Sequence, residues 1–233
     1  MEVLTMSTVP AILTIRSVSD EAKDMRLLAL AGEQAWDFVP GQVAILGMEG
    51  LGESYFAIAS APEDKGALEF LIRKGGGVSA ALFSSGVGAK VQAKGPLGKG
   101  FPIDRYEGRD LILAGVGTAI APLHSVLNSI CHRRSDFGKV ALVYGVRRPE
   151  DLCFAADRER WQRLEIKVIL TVSRPEGTGW QGRTGHVQAH FEEVMRGLSR
   201  PVALVCGMKD MMEQSRQALS GLGVAASEVL ANF

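Results

Sequence analysis

Residues 111–127 read LILAGVGTAIAPLHSVL, an apolar run followed by a glycine turn and a second apolar segment. The first run, residues 111–114, is typical of a strand that is buried on both faces. Gly115 and Gly117 allow a tight turn and a close approach of the backbone to a ligand. The apolar residues that follow recur at helical spacing. Strand, turn and helix in this order direct free N–H groups toward a phosphate, although a tight turn without a ligand has the same local pattern.

The composition is typical of a globular protein. The chain has 233 residues, of which 46% are hydrophobic and 22% are charged, enough for one large domain or two small ones. The 26 Lys and Arg residues balance the 26 Asp and Glu residues, so no global charge favours nucleic acid or an anionic membrane. No apolar run approaches the ~20 residues of a membrane span, and the N-terminus lacks the pattern of a secretory signal. We therefore expect a cytoplasmic protein with no nucleic-acid partner and no membrane span.

The cysteines and histidines do not indicate a metal site. Cys131, Cys153 and Cys206 are scattered, and no C-x-x-C motif occurs. Neither a disulfide framework nor a cysteine-bound cluster is predicted. His186 and His190 have the i, i+4 spacing of a helical pair, but no third ligand is evident nearby. We predict no metal.

The N-terminal part of the chain is predicted to be all-β. Short strand-like runs are separated by turn signals, which favours a small barrel or a sandwich. The glycines at residues 75–77 precede a short helix predicted over residues 78–83. The predicted strands are residues 11–18, 25–30, 43–46, 55–60, 68–72 and 90–94.

After about residue 103, strand-like and helical patterns alternate, which predicts a parallel sheet covered by helices on both faces. Ligands of such sheets bind beyond the carboxyl ends of the strands. Three predicted strands end in glycine or Cys-Gly at that edge, which favours a bound nucleotide. The predicted strands are residues 111–116, 140–146, 166–172, 202–206 and 229–231, and the predicted helices are residues 119–131, 157–164, 186–195 and 211–219.

An ordered set of motifs resembles those of the ferredoxin–NADP⁺ reductase superfamily. The motifs are FVPGQ (38–42), SYFAIAS (54–60), GGGVSAAL (75–82), GPLGKGF (95–101), AGVGTAIAPL (114–123), VYGVRRPEDLCF (143–154) and VCGMKDMM (205–212). The resemblance covers nearly the whole chain. It implies two domains, an N-terminal antiparallel β-barrel that binds flavin (residues 1–104) and a C-terminal α/β doubly wound parallel sheet that binds a pyridine nucleotide (residues 105–233).

The implied activity is that of a flavin-dependent oxidoreductase. Hydride would pass from NADPH or NADH to FAD, and electrons would continue to an acceptor such as ferredoxin, flavodoxin, a quinone or a partner redox protein. The dihydroorotate dehydrogenase electron-transfer subunit and the hydrogenase gamma subunit are the branches that look nearest, but their C-terminal cysteine cluster is absent. Two alternatives stay open, namely a non-catalytic nucleotide- or partner-binding module with a degenerate flavin site, and an electron-transfer subunit of a larger redox complex.

The resemblance also implies the flavin-binding residues. The ring-binding strand supplies Phe56, Ala57, Ile58 and Ser60, and the diphosphate-binding segment supplies Arg73, Gly76, Gly77, Val78 and Ser79. Ser54 stands where the family has an arginine that pairs with the diphosphate, and Arg73 or Lys74 is the candidate replacement. Ala57 stands where the family has a serine. FMN is therefore kept as an alternative to FAD.

The nucleotide-binding residues follow in the same way. Cys206 matches the family cysteine that faces the nicotinamide, and Gly207 follows it. Ser173 and Arg174 are candidates for the 2′-phosphate of NADP, and no acid stands there to favour NAD. The simpler interpretations are that Cys206 is only a small buried side chain and that Arg174 is only a solvated charge. The remaining predicted contacts are Gly115, Gly117 and Thr118 with the dinucleotide diphosphate, and Phe233 either over the flavin or packed at the end of an edge strand.

Overall fold

The computed structural model describes residues 10–232. Its N-terminal half is a six-stranded antiparallel sheet with the order β4-β3-β6-β1-β2-β5. An antiparallel bridge between Ile58 and Phe70 joins the two edges, which closes the sheet into the predicted barrel. The strands are β1 (Ala11–Ala22), β2 (Met25–Ala31), β3 (Val43–Met48), β4 (Gly52–Ala57), β5 (Leu68–Arg73) and β6 (Lys90–Leu97), and helix α1 (Val78–Ser84) lies against β3, β4 and β5.

The C-terminal half is a parallel sheet with the order β10-β9-β8-β7-β11-β12. Strand order reverses at β7, which has β8 on one side and β11 on the other, so the doubly wound fold is confirmed. The strands are β7 (Leu111–Val116), β8 (Val140–Val146), β9 (Ile166–Val172), β10 (Arg183–Thr184), β11 (Val202–Cys206) and β12 (Val229–Leu230). The helices are α2 (Ile120–His132), α3 (Arg158–Arg163), α4 (Phe191–Met195) and α5 (Lys209–Gly221).

The central strands of this sheet are buried on both faces. Along β7, Leu111 and Leu113 belong to one hydrophobic cluster and Ile112 and Ala114 to another, as the alternation of a strand requires. The first cluster also contains barrel residues such as Phe101. The barrel and the α/β half therefore share a hydrophobic core. The predicted domain boundary at residues 104 and 105 lies in a 3₁₀ turn, Ile103–Tyr106, that connects the two.

The strand that carries SYFAIAS ends earlier than predicted. Pairing with β3 stops at Ala57, and the Ile58 N–H then donates to the Gln42 carbonyl at 3.0 Å. The next N–H, from Ala59, donates to the Glu69 carbonyl at 2.7 Å. The chain leaves β3 and crosses to β5 at this point, because the barrel has to close there.

The single helix predicted over residues 186–195 is wrong. A 3₁₀ turn, Val187–His190, precedes the short helix α4. The His190 ring lies 3.0 Å from the Thr171 hydroxyl of β9, which ties this turn to the sheet. Val187 and Phe191 are buried, as they would also be in a continuous α-helix. The spacing of apolar residues therefore could not distinguish a 3₁₀ turn from an α-helix in this segment. None of the helices in residues 10–232 has the length and hydropathy to cross a bilayer.

Candidate functional site

The reversal of strand order places the glycine-containing end of β7 beside the end of β11. Gly115 of β7 is paired with Cys206 of β11. A Cβ on Gly115 would lie 2.7 Å from the Leu123 side chain, so glycine is needed there for α2 to pack on the sheet. Gly117 has φ +56° with open space on its Cβ side, and Thr118 is exposed. No side chain caps the first turn of this segment, so its N–H groups are available to an anion.

Cys206 is joined to the barrel through the C-terminal segment. Its side chain is 3% exposed, and the thiol donates to Asn232 Oδ1 at 3.4 Å. The Asn232 amide nitrogen donates to the Gly41 carbonyl at 3.1 Å, on the turn before β3. Burial raises the pKa of the Cys206 thiol to about 12, although the Gly207 N–H opposes this. Cys206 is therefore a neutral thiol at the junction of the two halves, and Gly207 lies half-buried beside it.

The residues predicted to contact the flavin ring differ in how accessible they are. Phe56 and Ala57 are half-buried and pack on opposite sides, against the barrel core and the shared cluster respectively. Ile58 is fully buried in the barrel core. The Ser60 hydroxyl accepts the Glu69 N–H at 3.1 Å. The side chains of Ile58 and Ser60 are therefore occupied by packing and by a hydrogen bond within the protein. Of the four predicted residues, Phe56 and Ala57 are the two whose side chains are partly accessible.

The predicted diphosphate segment forms an open glycine turn. Gly77 has φ +57°, and a Cβ on Gly76 or Gly77 would meet nothing within 4 Å. α1 begins at Val78 with no side-chain cap, and Val78 is buried while Ser79 is half-buried. This open cradle with uncapped N–H groups fits an FAD diphosphate.

One cation next to this turn is available for a ligand. Arg73 is exposed, and within residues 10–232 it forms no ion pair. Lys74 lies 3.9 Å from the Asp24 carboxylate. Of the two residues, Arg73 is therefore the one whose charge has no carboxylate partner in the described chain.

The ends of β8 and β9 bring several arginines together. The Ser173 N–H donates to the Val146 carbonyl at 2.9 Å, and the Arg174 N–H donates to the Arg147 carbonyl at 2.9 Å. Arg147, Arg148 and Arg174 are all exposed. No carboxylate of the described chain pairs with their guanidinium groups. This edge of the sheet can therefore accept a phosphate.

Two cavities lie elsewhere, on the barrel beside residues 32–36, with volumes of about 240 and 850 Å³. None of the predicted cofactor-binding residues lines them. In residues 10–232, no group of three or more His, Cys, Asp or Glu side chains is arranged to hold a metal ion. Phe233 lies outside the described residues.

Sequence reasoning missed Asn232. It follows a predicted edge strand, where a polar residue is ordinary, and its partners Cys206 and Gly41 are distant in the chain. The only signal was its position beside the C-terminal aromatic residue that the resemblance singled out.

Comparisons with known proteins agree with this geometry. Residues 11–101 match the family described as "Oxidoreductase FAD-binding domain", and residues 112–217 match "Oxidoreductase NAD-binding domain". The first match covers the barrel, and the second covers β7 to α5 without its last turn.

Two curated relatives align with most of the chain. The chain is 32% identical over 194 residues to sulfhydrogenase 1 subunit gamma of Pyrococcus furiosus, which is 82% of this chain and 66% of that subunit. It is 30% identical over 185 residues to ferredoxin–NADP reductase B of Sorangium cellulosum, which is 75% of each chain. The chain thus spans about two thirds to three quarters of these relatives.

Solved structures share the fold over nearly the whole chain. The ferredoxin–NADP⁺ reductase of Neisseria gonorrhoeae with bound FAD and NADP superposes with a TM-score of 0.79 at 20% identity, covering 97% of this chain and 98% of that one. A cytochrome P450 reductase from Amycolatopsis has a TM-score of 0.83 at 24% identity, covering 96% of this chain and 69% of that one. The chain belongs to the ferredoxin–NADP⁺ reductase superfamily of FAD- and NAD(P)-binding oxidoreductases.

Proposed function

We propose that this protein is an NAD(P)H-dependent flavin oxidoreductase that passes electrons from a reduced nicotinamide, through FAD, to a separate redox protein. The observation that carries the proposal is the hydrogen-bonded chain from Cys206 through Asn232 to Gly41. It joins the carboxyl end of β11, where a nicotinamide would lie, to the turn before β3 of the barrel. The pairing of β3 with β4 then brings Phe56 and Ala57 into the same region.

The chain's own residues position the two cofactors. FAD, when bound, supplies the ring that accepts hydride. Phe56 and Ala57 offer an apolar surface to that ring, and the uncapped turn after Gly77 offers N–H groups to its diphosphate. Cys206, as a neutral thiol, acts by contact and by excluding water rather than as a nucleophile. Placement of the two rings is the contribution expected of the protein.

We propose NADPH as the preferred donor. Arg147, Arg148 and Arg174 stand exposed at the ends of β8 and β9, without carboxylate partners in the described chain, and Ser173 adds a hydroxyl. The 2′-phosphate of NADPH carries the negative charge that an arginine cluster attracts, whereas NADH has an uncharged 2′-hydroxyl group at this position.

We propose a ferredoxin-type protein as the electron acceptor. Two relatives are named as ferredoxin reductases, the one from Sorangium cellulosum and the reductase component of a naphthalene dioxygenase system from Pseudomonas putida. The sulfhydrogenase relatives are named as subunits, so membership of a larger redox complex is the second candidate. Co-purification of a further chain from the native source would favour the complex, and activity of the isolated chain with an added ferredoxin would favour the stand-alone enzyme.

Cofactor content tests the proposal first. The purified full chain is expected to be yellow, or to become so with FAD, and the released flavin should be identified as FAD rather than FMN by chromatography. A colourless chain that takes up neither flavin would contradict the enzyme and favour the non-catalytic binding module.

A further inference from the structure

A buried histidine at the junction of the two halves is held by hydrogen-bond acceptors on both sides. His124 lies on α2 and is 3% exposed. Its Nδ1 is 2.9 Å from the carbonyl oxygen of Ala59, just after the flavin-binding strand. Its Nε2 is 3.1 Å from Oδ2 of Asp157, immediately before α3. One imidazole ring therefore joins the barrel to two helices of the α/β half.

Both contacts require a hydrogen on the ring. A carbonyl oxygen can only accept, so Nδ1 of His124 carries a hydrogen. Burial alone would raise the pKa of Asp157, but its hydrogen bond to His124 and the charge of that ring lower this pKa below its ordinary value. Asp157 has a side chain that is 31% exposed, so it is a carboxylate at neutral pH and also only accepts, and Nε2 therefore carries a hydrogen as well. The geometry corresponds to a positively charged imidazolium.

The Asn128 side chain is compatible with a hydrogen on Nδ1 of His124. Its Nδ2 lies 3.2 Å from Nδ1 of His124, while its Oδ1 is buried without a partner. Two donors cannot bond to each other. The oxygen and nitrogen of an amide are assigned from their hydrogen-bond partners. When the two are exchanged in Asn128, its oxygen accepts a hydrogen bond from the Nδ1–H group of His124.

The aromatic surroundings also suit a cation. The His124 ring stacks on Phe154 with 3.7 Å between centroids and 12° between planes. The face of an aromatic ring attracts positive charge. Phe154 is itself fixed to the barrel, because its N–H donates to Oε2 of Glu21 at 3.0 Å.

Other charged groups act on this pair. Glu69 of β5 interacts with His124, and burial raises the pKa of Glu69 above its ordinary value. Arg160 of α3 stabilises the carboxylate of Asp157. The remaining titratable groups of the network are Glu21, Asp64, Cys131 and Arg134. Asp157 is the one carboxylate among them that is hydrogen-bonded to the ring.

We propose that protonated His124, held by Asp157, is a positioning residue for hydride transfer. It fixes the end of the flavin-binding strand at Ala59 relative to α2, whose N-terminus follows the nucleotide-binding turn at Gly117. This inference rests on the proposed function. Reacting atoms have to lie about 3–3.5 Å apart, so a small displacement between the halves slows the reaction strongly.

Magnetic resonance of nitrogen-labelled histidines in the full chain tests the protonation without any cofactor. Both ring nitrogens of His124 are expected to be protonated at neutral pH. His132 is the internal control, because it lies on the same helix and contacts Asp64 at 2.8 Å but has a side chain that is 39% exposed. A neutral ring at His124 would overturn the inference.

Rapid-mixing kinetics on the FAD-loaded chain test the positioning role. His124→Gln and Asp157→Asn are expected to slow flavin reduction at saturating nicotinamide by about tenfold or more. The half-saturating nicotinamide concentration should change by less than about twofold, since placement rather than nucleotide binding is affected. His132→Gln should stay within about twofold of the wild type on both measures.

The two kinetic measures together separate positioning from a merely structural role, because a structural role would not confine the effect to the rate at saturating nicotinamide. Asp157→Asn keeps the size of the side chain and serves if His124→Gln does not fold. A reducing wild type whose rate is unchanged in the variants overturns this inference alone, whereas a wild type that reduces no flavin overturns the proposed function with it.

Discussion

At the scale of single residues, the decisive contacts join side chains that are far apart in the sequence. Asn232 and Gly41 are 191 positions apart, and His124 and Ala59 are 65 apart. Apolar periodicity identifies which face of a strand or helix is buried, but not which polar residue meets a distant carbonyl. Cys206 could be proposed from its motif, whereas its partner Asn232 could not.

Asn232→Ala should weaken the junction between the two halves. The substitution leaves the Gly41 carbonyl and the Cys206 thiol without their partner, which costs about 1–3 kcal/mol of unfolding free energy. Chemical denaturation measures the loss, and flavin reduction should also be slower. Gln217→Ala removes an exposed amide of α5 and is the control, expected to change stability by about 0.5 kcal/mol or less. Equal stability of the two variants would contradict the role given to Asn232.

At the scale of elements, most strands were predictable because buried runs and turn residues mark them directly. β8 is buried at every position, and the sequence shows it as an unbroken apolar run. The end of β4 was not predictable, because the crossing at Ile58 depends on where β5 lies. The segment from Val187 to Met195 was mistaken for one helix, because 3₁₀ and α geometry bury the same apolar residues.

A contact between Arg73 and FAD gives a testable prediction for the turn before α1. Arg73→Ala should raise the dissociation constant of FAD by about tenfold, since hydrogen bonds to charged groups are worth about 1.5–3 kcal/mol. Fluorescence titration of the flavin-free chain measures this constant. Arg16→Ala removes another exposed barrel arginine, on β1, and should leave the constant unchanged. A similar effect of both variants would assign the result to overall charge rather than to this turn.

The proposed contact of Arg174, in the loop after β9, with the 2′-phosphate predicts a preference for NADPH over NADH. Arg174→Ala should raise the half-saturating concentration of NADPH about tenfold or more and leave that of NADH nearly unchanged, since only NADPH carries the 2′-phosphate. Arg163→Ala, on the exposed surface of α3, is the matched control. Steady-state kinetics with both nucleotides provide the comparison. An equal effect of Arg174→Ala on NADH and NADPH would refute the 2′-phosphate contact.

At the scale of the whole molecule, the barrel and the α/β half share one hydrophobic cluster and are linked by polar side chains of α2. The Ser125 hydroxyl donates to the Ser60 carbonyl at 2.7 Å, and the Ser129 hydroxyl donates to the Glu63 carboxylate at 2.8 Å. The two-domain fold could be predicted from the order of the motifs. The relative placement of the halves could not, because it depends on which side of α2 faces residues 59–64.

This junction predicts how stability depends on pH. The pKa of Asp157 is lowered in the folded chain, so its contribution to folding is present above the unfolded value of about 3.9 and is lost as pH falls through the folded value. The unfolding free energy of Asp157→Asn should therefore be lower at neutral pH and converge on that of the wild type in acid. Denaturation curves at several pH values measure the difference. A difference that stays constant as the pH falls would contradict an ionised Asp157.

The central claim is that the barrel and the α/β half place a flavin and a nicotinamide side by side. Anaerobic stopped-flow mixing of the FAD-loaded full chain with NADPH, and separately with NADH, tests it most directly. We expect bleaching of the flavin absorbance in a single-turnover phase whose rate saturates with nucleotide concentration, at lower concentrations for NADPH. A chain that holds FAD but is reduced by neither nucleotide would contradict the account.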